Sequence, residues 1–346
     1  MKRILTIWST LVLSAGVSQL AGAQDLHFSQ FFNSPLSTNP ANTGFIPDGD
    51  YRVGVNYRNQ WSSIMSVPYK TMSAFGDVQI GKDRFQNGWI GLGGMLLKDV
   101  AGSGNLSSTK VYGAVAYHQM LGYSSLLSAG FNIGYASKRI DMAALKFPDQ
   151  FDGHFFDSKL PTSAFLDRTS VGYFDLQAGL NYAYFPTNNI YVNGGFSVMH
   201  INRPRESFFT NDAGNVDNRI PMRNTAFLNG SFKLNDQWIV NPNVYVSTQA
   251  GSFEAVGGAN AHYNLSGDGE KVLVGGLYYR YQEALIPVIG LGLNDYIFSF
   301  SYDITMSPLK AYNGARGALE FSLVKQGVFE HYSFNRRQTI CPSFKN

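Results

Sequence analysis

From residue 51 onward, apolar and polar residues alternate with a period of two, segment after segment, and nothing else in the chain constrains its fold as tightly. In 174–182, Phe174, Leu176, Ala178, Leu180 and Tyr182 fall on one side, and Asp175, Gln177, Gly179 and Asn181 on the other. In 296–303, Tyr296, Phe298, Phe300 and Tyr302 alternate with Ile297, Ser299, Ser301 and Asp303. Successive side chains of a strand point to opposite faces, so this pattern reads as strands with one apolar and one polar face. Fourteen such segments are predicted, near 51–58, 69–80, 88–97, 107–120, 124–138, 171–184, 189–202, 222–233, 236–249, 252–265, 269–282, 284–292, 294–303 and 314–324. The run at 88–97 is rich in Gly, and 284–292 carries Pro287.

Two architectures alternate in this way, a soluble β-sandwich and a membrane β-barrel. Charged residues make up 15% of the chain, against about a quarter in soluble domains, and aromatics 14%, which favours the barrel. A sandwich hides its aromatic face, whereas a barrel turns it to lipid. Connection lengths agree. Those near 121–123, 185–188, 234–235, 266–269 and 293–294 are tight, and longer ones near 139–170 and 203–221 lie between them. The asymmetry is imperfect, because 81–87 is longer than a tight turn and 250–252 and 282–284 are short. Short turns at one end and long loops at the other is the outer-membrane pattern, with the turns in the periplasm. The expected fold class is therefore all-β: a closed antiparallel transmembrane barrel of about 14 strands, surrounded by outer-membrane lipid. Closure follows from the solvent, since an open sheet edge in lipid leaves backbone groups unpaired.

The first 23 residues read as a secretory signal: Lys2 and Arg3, an apolar run from 4 to 17, and Ala21, Gly22, Ala23 as the cleavage site. No Cys lies at the cleavage point, which argues against a lipid anchor. Four regions result: a signal peptide, 1–23; an amino-terminal segment, 24–50; the barrel, 51–324; and a carboxy-terminal tail, 325–346. Losing Lys2 and Arg3 takes the formal charge from +3 to +1, which offers no footprint for nucleic acid. Cys341 is the one cysteine, so no intramolecular disulfide framework exists.

The polar faces carry Arg52, Arg58, Lys110, Asp175, Glu254, Arg280, Asp303, Arg316 and Glu320. A selective ion pore favours rings of one sign. This mixed set suits hydrogen-bonded pairs that fill and stiffen a lumen, and the alternative is a polar channel for a small solute. His118 and His262 fall on the same faces, but no His or Cys has a metal-ligand spacing, and no nucleophile motif appears. Neither a cofactor, a metal nor an enzymatic activity is expected. In the loop 141–168, Phe147, Pro148, Asp149, Gln150 and Phe151 precede Asp152, His154, Phe155, Phe156 and Asp157. The acids are not spaced as in an EF-hand. Either this loop docks a protein through exposed Phe and Asp, or it folds over the barrel mouth.

Four stretches together resemble the PorP/SprF family of outer-membrane proteins. The first is "QDLHFSQFFNSPLSTNPANTG", with His27, Phe28, Ser29, Gln30, Phe31, Pro35, Leu36, Asn39, Pro40, Ala41 and Gly44. The second is "YRVGVNYRNQWSSI", with Arg52, Asn56, Tyr57, Arg58, Gln60 and Trp61. "FPDQF" at 147–151 and the tail "RRQTICPSF", with Cys341 and Pro342, are the others. The resemblance implies a non-enzymatic accessory of the type IX secretion and gliding system of Bacteroidota. It implies partners as well: the secretion machinery, including its periplasmic ring, and a secreted cargo such as a large adhesin. The runner-up reading is a porin or transporter for small or hydrophobic solutes. The segment 24–50 has no helix or strand period, yet Phe28, Phe31 and Phe32 need burial. It is expected to pack at the periplasmic mouth as a partial plug or docking element.

Overall fold

The computed structural model describes residues 26–329, apart from 48, 83, 84, 86, 103, 158, 164, 165 and 210–217. Fourteen strands form one sheet: β1 (Tyr51–Gln60), β2 (Tyr69–Ile80), β3 (Gly88–Ala101), β4 (Leu106–Met120), β5 (Ser125–Arg139), β6 (Ser170–Thr187), β7 (Ile190–Met199), β8 (Arg223–Lys233), β9 (Trp238–Gln249), β10 (Ser252–Asn264), β11 (Lys271–Arg280), β12 (Ala284–Leu293), β13 (Tyr296–Thr305) and β14 (Arg316–Gly327). Each pairs antiparallel with the next, and β14 returns to β1, so the sheet closes into a barrel. Every segment predicted from alternation corresponds to one strand. β14 runs three residues past the expected barrel boundary at 324, so the tail starts later than the sequence suggested. Among the described residues no helix is long and apolar enough to cross a membrane.

The alternation becomes two surfaces. Phe174 is 66% exposed on the outside, whereas Asp175, its neighbour in β6, is 0% exposed on the inside. Ile133, Leu180, Leu228, Leu277 and Ile289 are likewise exposed around the ring. A ten-residue strand is about 33 Å long, and at a tilt near 40° it rises about 25 Å, the height of an outer-membrane apolar band. The connections at 81–87, 121–124, 188–189, 234–237, 265–270 and 294–295 share one end of the barrel with both chain termini of the sheet. We call this the turn end. The opposite loop end carries the long connections 140–169 and 200–222.

Lumen polarity needs one correction. The inner wall is not wholly polar, and the apolar set is not wholly lipid-facing. Phe75, Trp89, Met95, Tyr112, Tyr245 and Tyr278 all point inward and are buried. Arg316 shares the inward parity but is exposed at the loop-end rim, where it donates to the Ser63 carbonyl.

Candidate functional site

The inward aromatics have a purpose, because the lumen is filled by the chain's own segment from Leu26 to Asp50. Of the expected plug or docking element at the turn-end mouth, it is the plug, and it runs on through the lumen instead of stopping at that mouth. It joins β1 there through Asp50 and rises through the lumen, so that Leu26 lies among loop-end residues. Its path is irregular: a turn at Phe31–Asn33, one short helix at Pro35–Thr38, and another turn at Pro40–Asn42. Pro35 and Pro40 each stand at a first helical position, where a missing N–H costs nothing.

Three tiers of contact hold the segment. The tier toward the loop end is ionic. Ser29 Oγ donates to Asp303 at 2.8 Å and accepts from Arg58 Nη1 at 2.5 Å and Arg280 Nη2 at 2.6 Å. The Glu320 carboxylate accepts from the Ser29 N–H at 2.8 Å and the Gln30 N–H at 2.7 Å. Arg58 also donates to Asp303 at 2.8 Å and Glu320 at 3.2 Å, and Arg280 to Asp303 at 3.0 Å. Each buried charge thus meets an opposite charge and a polar group of the segment, which is the condition for tolerating ions away from water. His27 lies 3.6 Å from Glu254.

The middle tier is aromatic and amide. Phe31 packs on Tyr245 and Tyr278, with ring centroids 5.3 and 6.1 Å away, and Phe32 stacks on Tyr278. Phe28 joins Leu36, Phe75, Met95, Leu97, Tyr112 and Val324 in a second apolar cluster. Asn39 Nδ2 donates to the wall carbonyls of Leu180 at 2.9 Å and Phe196 at 3.3 Å, while its Oδ1 accepts from the Ala41 N–H. That insertion needs a bare wall: a Cβ on Gly179 would fall 2.0 Å from Asn39 Oδ1.

The tier at the turn end is backbone against wall. His118 bonds the Thr43 carbonyl through Nε2 and Ser128 through Nδ1. Trp89 Nε1 donates to the Gly44 carbonyl at 2.9 Å. Asp77 accepts from the Gly44 N–H and from Arg52, which also donates to the Asn42 carbonyl. A Cβ on Gly91 would sit 1.9 Å from the Thr43 oxygen, so only glycine lets the two backbones touch there.

The residues singled out from sequence therefore divide. Phe28, Ser29, Gln30, Phe31, Asn39, Pro40, Arg52 and Arg58 form the contact between segment and wall. Asn56 faces the lumen and donates to Ser73, while Gln60 and Trp61 lie at the loop-end rim, where the Trp61 ring meets Tyr69. Phe147, Pro148, Asp149 and Gln150 lie apart in the long loop. Asp149 accepts from the Thr162 hydroxyl and the Ser163 N–H, which lowers its pKa, and Gln150 Nε2 donates to the Leu160 carbonyl. Phe151 and Phe155 are exposed on that loop. Cys341 and Pro342 lie outside the described residues, as does the expected signal peptide. Sequence reasoning placed Arg280, Asp303 and Glu320 in the lumen but not against Ser29, and it missed Asp77.

Above the segment, at the loop end, a cavity of about 600 Å³ is lined by Leu26, Lys110, Lys138, Tyr173, His200, Glu206 and Arg219, among others. The carbonyl of Leu26, which lines it, accepts from Arg223 Nη1 at 3.0 Å.

A closed fourteen-strand sheet with a lipid-facing apolar belt and an occupied lumen defines a plugged outer-membrane β-barrel. The chain belongs to the family described as type IX secretion system membrane protein PorP/SprF, which it matches over residues 20–324. Membership associates it with the type IX secretion machinery. No match was found among curated protein sequences. In fold it is similar to the toluene transporter TbuX of Ralstonia pickettii, at 11% identity and a TM-score of 0.50, over 85% of this chain and 94% of that one. It is similar also to the monoaromatic hydrocarbon channel CymD, at 11% identity and a TM-score of 0.50, over 86% and 94%. At these identities the likeness is one of fold.

Proposed function

We propose that this protein is a non-enzymatic accessory of type IX secretion that helps export a cargo protein, such as a large adhesin, or retain it at the cell surface. The observation that carries this reading is the lumen filled by the chain's own segment. Three separate tiers fix residues 26–50 inside the wall, which suits a protein that presents surfaces rather than one that conducts. In outer-membrane barrels short turns face the periplasm and longer loops face outward. On that orientation the turn end meets the periplasmic machinery, and the exposed Phe151 and Phe155 of the long loop meet cargo.

Deleting 25–44 is the test. The barrel should still insert, as judged by heat-modifiable migration of the outer-membrane fraction, while surface display of the cargo is lost. Normal display after the deletion would refute the reading. A second reading is a channel for small solutes, which the loop-end cavity and the transporters of similar fold favour. Planar-bilayer conductance separates the two. The intact protein should be silent, and a steady open state would select transport.

A further inference from the structure

The lipid-facing wall carries charge of one sign only. Among the described residues, the charged side chains at outward positions of the fourteen strands are Lys70, Lys98, Arg139, Lys271 and Lys325, and no acid is among them. Lys271 and Lys325 stand at the turn end, where Lys325 lies over the Tyr296 ring. The other three share one arc of the loop-end rim. Lys70 of β2 faces Val100 of β3, Val100 faces Ser107 of β4, and Ser107 faces Arg139 of β5, so Lys70 and Arg139 stand in one row. Lys98 is the diagonal neighbour of Lys70, about 7–8 Å away. All three are exposed, and none has an ion pair among the described residues. The acids beside them in the chain are directed elsewhere: Asp99 faces the lumen and accepts from Thr71 Oγ1 at 2.6 Å, and Asp141 accepts from the Ala143 N–H at 3.1 Å. We propose that this patch binds the phosphate-bearing headgroup of a lipid in the leaflet at the loop end, with the acyl chains laid on the wall beneath.

The wall under the patch is shaped for chains. Leu96, Val111 and Tyr135 form the next outward row and are exposed. In the row after that, Gly94 and Gly113 face each other on the outer surface. A Cβ on Gly94 would stand 3.4 Å from the Tyr112 oxygen, and one on Gly113 4.0 Å from the Ile133 oxygen, both ordinary contacts. Packing therefore does not require glycine at either place, and the bare pair leaves a trough. It leads to an apolar groove of about 440 Å³ lined by Ile90, Val115, Tyr117, Ala129, Phe131 and Ala178, among others. Thr109, beside Lys98, and Val115 are about 20 Å apart along β4, or about 15 Å in depth at a tilt near 40°, which is one leaflet of a hydrocarbon core about 30 Å thick. Long basic side chains lay their stems on apolar surface and keep their charges at headgroup level, where they meet phosphate. A free phosphate ion would leave the trough and groove unused, and so would an acidic protein surface, because both features lie at hydrocarbon depth. This inference goes beyond the secretion role and does not depend on which cargo is served.

The experiment uses the full-length protein in a nonionic detergent and native mass spectrometry. The probes are monophosphoryl lipid A and the same lipid with its phosphate removed. Heat-modifiable migration reports assembly of each variant. The parent should retain the phosphorylated probe in preference to the other. The triple variant Lys70→Gln, Lys98→Gln, Arg139→Gln should lose that preference, at about fivefold for each cation removed, and Lys98→Gln alone should show one such step. Lys271→Gln with Lys325→Gln, at the turn end, should leave the preference unchanged. Gly94→Leu with Gly113→Leu should lower retention of both probes alike. Equal retention of the two probes by the parent overturns the proposal. An undiminished preference in the assembled triple variant overturns it too, and if cargo display were lost in that variant the patch would belong to a protein partner instead.

Discussion

Ser29 has a hydroxyl that serves two arginines and an aspartate at once, so its removal should be felt beyond one bond. Ser29→Ala leaves Arg58 and Arg280 each short of an acceptor in a buried place, at a cost of about 1–3 kcal/mol. Denaturant unfolding of the detergent-purified barrel measures this, and an unchanged midpoint would show the tier to be idle.

Strands and loops are the elements, and they differ in how much of them is local. Alternation is a property of neighbouring residues, so all fourteen strands were legible in the sequence, with errors confined to their ends. The course of the amino-terminal segment was not. Phe75, Tyr112, Tyr245 and Tyr278 are of the same residue types as lipid-facing positions, and nothing in one strand says that a Phe of another segment waits inside. The mixed inward charges were readable as a paired set, but Ser29 as their meeting point was not, because it lies hundreds of residues from Arg280 and Asp303. Wall glycines were the available signal. Gly91→Ala puts a methyl group where the Thr43 carbonyl now lies, and should cost about 1–3 kcal/mol as an overpacked contact. It should also raise the frequency of brief conductance events in planar bilayers, and a record as silent as the parent's would count against a tight seal at this tier. In the long loop, Asp149→Ala removes the acceptor of Thr162 and Ser163. Trypsin should then cut faster near Lys159, with the barrel fragment unchanged.

At the scale of the whole molecule, the ionic tier coincides with the place where the sheet closes. Arg58 and Glu320 are register partners across the seam between β1 and β14, the first and last strands. Glu320 accepts from the segment's backbone on the same carboxylate that meets Arg58. Closure and filling thus share one carboxylate in this chain. Glu320→Gln keeps the shape and leaves Arg58 its closer partner Asp303 at 2.8 Å, but turns one oxygen that accepts from the segment's backbone into an amide N–H, a loss of about 1–3 kcal/mol. The expected result is a lower yield of the heat-modifiable form, and full yield would mean that the seam closes without the segment's help. The inner wall also explains why the barrel carries aromatics on both faces: one set meets hydrocarbon, the other meets the chain's own phenylalanines.

The segment and the wall belong to a single polymer, joined through Asp50 at the turn end. A part expelled from the lumen is therefore never lost to dilution. It stays tethered at a local concentration in the millimolar range for a short flexible connection. Any protein that draws it out must outcompete that concentration throughout its stay, and once it departs the passage shuts again with no further component, as a sprung door does.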